Sequence, residues 1–338
     1  MIETAPLVQT PQRLREFARR SAAVGVVVWV LLVLAVTTDS HETELIHRVV
    51  FFAFLVIVPL GLSLAPGEQT TGLGLYRVAV FLQPVAAVIA ITSFFFAKGA
   101  PSAALAAVWF VFTGIVALFG LTRLVSRGLY PLPETSVDAG LLYLPVGGAW
   151  LIVYRLGVQP FDYGETIILL TVVHFHFAGF AAPIVAGMAG RVLARSNVGT
   201  LFPIIVVALI AAMPLVAAGI TFSPWLGLAG TLLLSTGLVL LAVLTTARVL
   251  PAIASLSARV LLLVGALSSC VAMMLASLYS YSIVAHVLIL RIPTMAMTHG
   301  LLNAFGFATC SLLAWSIVSA KERAFTPPPR SPVAAPPH

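Results

Sequence analysis

Ten long apolar stretches constrain the fold of this chain more than any other feature. A helix needs about 20 apolar residues to cross about 30 Å of bilayer hydrocarbon. The stretches are uninterrupted, whereas the strands of a membrane barrel alternate over about ten residues. We therefore predict an all-α fold, a polytopic integral membrane helix bundle of about 10 transmembrane helices. The predicted spans are residues 21–37, 45–64, 76–97, 101–122, 137–155, 164–189, 200–220, 224–246, 260–288 and 295–319.

Composition and charge agree with a membrane protein. Only 9% of the 338 residues are charged, against about a quarter in soluble domains. When the connections are assigned alternately to two sides, one side holds only four of the 18 Lys and Arg residues, namely Arg48, Lys98, Arg155 and Arg291. The positive-inside rule then predicts an even number of spans with both termini in the cytoplasm. The net charge of +7 follows from this topology and gives no support to a nucleic-acid partner.

The connections are short, which predicts one transmembrane domain over residues 21–320. Before it lies a basic cytoplasmic arm, residues 1–20, and after it a proline-rich cytoplasmic tail, residues 321–338, whose composition is typical of disorder. Cys270 and Cys310 both fall in apolar stretches, so we expect packing residues and no disulfide.

Two polar motifs interrupt the apolar stretches. The sequence His-Phe-His-Phe-Ala-Gly-Phe at 174–180 lies in the sixth span, and Thr-His-Gly-Leu-Leu-Asn-Ala-Phe-Gly-Phe at 298–307 begins the tenth. Ionisable residues within a bilayer are costly and usually functional. We therefore predict site residues in both motifs, namely His174, His176, His299 and Asn303.

Helical spacing predicts the directions in which these side chains point. Glu165 and His176 are eleven positions apart, which places them on one helix face with His176 roughly 17 Å deeper. By contrast, His174 and His176 point about 200° apart and cannot bind one metal on a regular helix. His299 and Asn303 share a face at i, i+4.

Carboxylates are placed where they would complete a proton relay. Glu42 precedes the second span and Glu165 opens the sixth, both at the predicted outer side. We expect one of them to be the proton partner of His176. The cytoplasmic halves of the spans are predicted to hold almost nothing ionisable, with Gln83 as their most notable polar side chain.

These motifs, together with Val-Pro-Leu-Gly-Leu at 58–62, resemble the YndJ-like family of bacterial polytopic membrane proteins. The resemblance implies that His174, His176, His299 and Asn303 are site positions, without a defined chemistry. Members are often described as transporters because of their many spans, which is a description by analogy.

Three functions fit the sequence. The first is a membrane enzyme that uses His and carboxylate groups for acid–base catalysis on a lipophilic, isoprenoid- or quinone-like substrate. Cyclisation, isomerisation or hydration in the outer half of the bilayer would suit it, as in a terpene cyclase, and no cofactor is required. The second is a proton-coupled transporter of a small solute, against which the apolar inner halves argue. The third is a His-ligated metal or haem protein, in which His174 or His176 would bind a metal together with His299 and an acid.

Overall fold

The computed structural model describes residues 9–35, 41–67, 71–194 and 200–325. Within them it contains ten helices that are long enough and apolar enough to cross a membrane. Within these residues no β-strand is present. The predicted all-α bundle of about ten spans is therefore confirmed. We number the helices in chain order as α1 (Pro11–Ala35), α2 (Thr43–Leu64), α3 (Leu73–Phe95), α4 (Ala100–Arg127), α5 (Leu132–Leu156), α6 (Glu165–Leu193), α7 (Leu201–Phe222), α8 (Pro224–Ala252), α9 (Leu256–Val284) and α10 (Ile292–Ala320).

The first and last helices extend beyond their apolar stretches. The helix that contains α1 already begins at Gln9, so residues 9–20 of the predicted arm are its first turns. The helix that contains α10 continues to Phe325. The rest of the predicted arm and tail, residues 1–8 and 326–338, lies outside the described residues. Because ten helices follow one another through the bundle, the start of α1 and the end of α10 lie at the same end, here called the terminal end, and the opposite end is called the distal end.

Helix α2 occupies the centre of the bundle. Nearly all of its side chains from Val49 to Leu64 are buried. Helices α2, α6 and α10 each contain a π-helical segment, at Ala53–Ile57, Phe175–Ala181 and Leu302–Thr309, and the α6 segment contacts the other two helices. A π turn inserts one residue into the helix and recurs at functional sites. The centre of the bundle is therefore built from three locally widened helices.

Small residues let these central helices approach closely. A Cβ atom at Gly61 of α2 would lie 2.5 Å from the fully buried ring of Phe180 in α6, so only glycine fits there. Gln83 of α3 donates a hydrogen bond of 2.7 Å to the carbonyl of Phe54 within the α2 π segment. Tight packing of small residues and side-chain bonds to π-segment carbonyls are expected where no water is available.

An ion network is buried near the terminal end of α4, α5 and α6. Arg123 lies 2.6 Å from Glu134 and 2.7 Å from Asp138, and Arg127 lies 2.8 Å from Asp138. Arg191 contacts Glu134 at 2.6 Å, and carbonyl groups at the end of α2 accept hydrogen bonds from Arg123 and Arg191. Asp138 lies within the predicted fifth span, so the prediction that the cytoplasmic halves of the spans hold almost nothing ionisable is wrong at this residue, whose charge is paired with Arg123 and Arg127 of α4.

Candidate functional site

A cavity of about 520 Å³ lies in the distal half of the bundle, between α6, α7, α8, α9 and α10. Its volume falls within the range of small-molecule sites, about 300–1,000 Å³. The cavity wall includes His174, His299 and Asn303, so the structure brings together three of the predicted site residues. Its apolar wall includes Leu170, Phe177, Ile220, Leu234, Met273 and Phe307.

The cavity wall carries no full charge. Among the described residues that line it there is no Asp, Glu, Lys or Arg side chain. Besides the two imidazoles and one amide, its polar groups are hydroxyls. These belong to Thr171, Thr221, Ser223, Thr231, Tyr279 and Ser280. Such a wall accommodates a largely apolar molecule and orients it through a few polar groups.

His174 ends the regular part of α6, directly before the π segment. Its Nδ1 atom lies 2.7 Å from the carbonyl oxygen of Leu170, which can only accept a hydrogen bond. The proton of the neutral ring is therefore on Nδ1, and Nε2 carries a lone pair. Nε2 makes no hydrogen bond to any described residue, while the ring is accessible at the cavity surface. His174 thus presents an available base to the cavity.

His299 is held across the cavity by α9 and by its own helix. Its Nδ1 atom donates to the carbonyl of Ala272 at 2.8 Å, and the Asn303 amide nitrogen lies 3.2 Å from its Nε2 atom. The amide nitrogen is also 3.1 Å from the His299 carbonyl. The rings of His174 and His299 are 6.3 Å apart between centroids and inclined by 25°. Two neutral imidazoles therefore face one compartment.

His176 lies on the other side of α6 and does not line the cavity. Its side chain is fully buried, and Nδ1 donates to the Val172 carbonyl at 2.7 Å. Its Nε2 atom accepts a hydrogen bond of 3.0 Å from the indole of Trp109. The ring also packs against Phe54, and a Cβ at Gly147 would lie 2.7 Å from it. Both nitrogens are therefore occupied, which differs from the predicted role of His176 as acid or base.

The carboxylates predicted as proton partners are not brought to the cavity. Glu165 is half exposed at the distal end and forms an ion pair of 2.5 Å with Lys98. The side chain of Glu42 lies outside the described residues. The helix is regular from Glu165 to His174, and the π segment begins at Phe175, one residue before His176.

The described residues offer little for a metal ion. They contain no group of three or more His, Cys, Asp or Glu side chains placed to hold one. Protein-bound zinc usually has three or four side-chain ligands, whereas the cavity combines two imidazoles with one amide.

The fold and the cavity define a polytopic all-helical membrane protein with an intramembrane pocket. The family model for YndJ-like proteins matches residues 48–307, and the chain belongs to this family, as its motifs predicted. It is 30% identical over 246 residues to the uncharacterized membrane protein YndJ of Bacillus subtilis (strain 168). That match covers 73% of this chain and 42% of the relative, so the chain spans less than half of the relative's length. No solved structure matches the chain.

Proposed function

We propose that this protein is a membrane-embedded enzyme that carries out acid–base chemistry on a lipophilic substrate in the cavity. The observation that supports it is the Nε2 atom of His174, a base without a partner among the described residues in a compartment without charges. An imidazole near neutrality can accept and return a proton, and a positioned acid–base group typically contributes 10²–10⁴-fold in rate.

Isomerisation is the reaction that these groups support best. His174 Nε2 takes a proton from carbon beside a double bond or carbonyl, the double bond shifts, and the imidazolium returns the proton to another carbon. Atoms and electrons balance, and no co-reactant is needed. Asn303 can turn one amide hydrogen from the His299 ring toward a substrate oxygen while the other stays on the His299 carbonyl. The His299 ring, fixed by the Ala272 carbonyl, lines the opposite wall.

We also propose the orientation of the protein in the bacterial inner membrane. Fourteen of the 18 Lys and Arg residues fall at or near the terminal end by sequence position, which supports a cytoplasmic location for both termini. The cavity would then open in the outer half of the bilayer. A protease or cysteine-labelling assay on intact cells tests this orientation, and labelling of the terminal end from outside would contradict it.

His174→Gln should abolish most of the proposed activity. The purified protein, reconstituted in lipid nanodiscs, is incubated with a total lipid extract of the producing bacterium. Mass spectrometry should show one component replaced by an isomer of the same mass. We expect about a hundredfold slower conversion in the variant, because glutamine cannot act as a base at neutral pH.

His47→Gln is the matched control for this experiment. His47 is a distal-end histidine outside the cavity, hydrogen-bonded at 2.8 Å to the hydroxyl of Tyr154, a contact that glutamine can replace. Its conversion rate should equal that of the wild-type protein. If His174→Gln converts the component at the wild-type rate but stops solute flux into vesicles, the protein is a transporter and the enzyme proposal is wrong.

A further inference from the structure

A second cavity of about 560 Å³ adjoins the first at the connection between α9 and α10. Both cavities are lined by Tyr279, Ile283 and Ile292, so the second lies directly beside the first, toward the distal end. We call it the mouth. Its other lining residues are Ser282, His286, Val287, Leu288, Leu290, Arg291 and Pro293.

Arg291 gives the mouth a positive charge that the inner cavity lacks. The side chain is exposed, and it forms no ion pair or hydrogen bond with another described side chain. The other distal-end cations are already engaged, since Lys98 binds Glu165, Arg48 binds Glu44 and Arg155 donates to the carbonyls of Ser93 and Phe96. A guanidinium at the edge of an apolar compartment is suited to a carboxylate or phosphate, which it can bind through two parallel hydrogen bonds.

The residues that precede Arg291 are apolar and exposed. Val287, Leu288 and Ile289 of the α9–α10 connection expose 49%, 74% and 46% of their surface. An exposed apolar connection at the end of two membrane spans is suited to contact with lipid.

We propose that the mouth binds the anionic head of an amphiphilic ligand at Arg291 while the apolar part of the ligand occupies the inner cavity. This inference rests on the proposed function and narrows its substrate class to lipophilic carboxylates or phosphates. The two cavities divide the recognition of such a ligand between an apolar compartment and a positive charge. The neutral wall around His174 and Asn303 accepts the reacting part, and the guanidinium of Arg291 fixes the depth at which it enters.

Binding of two matched probes to the full-length protein tests the inference. Decyl phosphate and decanol share one apolar chain and differ in charge. Equilibrium dialysis against protein in zwitterionic nanodiscs, with empty nanodiscs as background, gives both dissociation constants. We expect decyl phosphate to bind about tenfold more tightly than decanol, as a charged hydrogen-bonded pair provides. Arg291→Gln should remove this difference and leave decanol binding unchanged.

Arg248→Gln is the control for loss of a positive charge, because Arg248 is exposed near the terminal end of α8, far along the chain from the mouth. It should keep the tenfold preference. Equal binding of the two probes to the wild-type protein, or an equal loss for both probes in Arg291→Gln, overturns the inference. These results do not depend on conversion of any substrate. A charge preference that persists in His174→Gln, together with unchanged conversion in that variant, would support the mouth and reject the proposed enzyme.

Discussion

Asp138→Asn should lower the free energy of unfolding by about 3–5 kcal/mol, the usual cost of removing one partner from a buried ion pair. The Asp138 side chain is fully buried and contacts both Arg123 and Arg127. Asparagine keeps its shape but removes the charge, so the Arg127 guanidinium loses its acid partner within the apolar interior. The loss is measured by titration with sodium dodecyl sulfate in mixed micelles, followed by circular dichroism.

Asp162→Asn serves as the matched control. Asp162 is an exposed acid at the distal end with a φ of 56°, a conformation that asparagine adopts readily. The control should change the unfolding free energy by less than about 0.5 kcal/mol. Adding Arg127→Gln to Asp138→Asn should restore part of the loss, because the unpaired cation is then removed. If both aspartate variants lose the same stability, the ion network does not hold α4 against α5.

The number and approximate positions of the spans could be predicted because they depend on length and local hydropathy. The ion network could not, since it depends on which helices are neighbours. Asp138 falls inside the predicted fifth span, and its partners Arg123 and Arg127 come from the predicted connection before it. A carboxylate within an apolar stretch, with arginines 11 and 15 residues earlier in the chain, was the available signal.

The candidate site was predictable in part for a similar reason. His299 and Asn303 are four residues apart on one helix, and this local spacing indicates that they share a face. The distance between His174 and His299 is set by packing of α6 against α10, which spacing along the chain does not encode. The proposed binding role of Arg291 could not be predicted either, because a single arginine at a span boundary indicates only the orientation of the chain in the membrane.

His176→Leu should lower the free energy of unfolding by about 3 kcal/mol, because it leaves the Trp109 indole N–H without its acceptor in a fully buried place. The carbonyl of Val172 loses its donor as well. If the loss comes from this hydrogen bond, Trp109→Phe and His176→Leu should be non-additive by at least about 1 kcal/mol in a double-mutant cycle. The same mixed-micelle titration measures all three variants.

His174→Leu is the comparison that separates stability from chemistry on this helix. His174 lies two residues from His176 but faces the cavity, so the variant should lose less than about 1 kcal/mol of unfolding free energy. Its rate of substrate conversion should fall as in His174→Gln. His176→Leu should show the opposite pattern, with normal conversion per folded molecule. If His176→Leu loses conversion but keeps its stability, His176 is the acid–base group as the sequence predicted. Loss of a packing residue that only holds a hydrogen bond would lower stability instead.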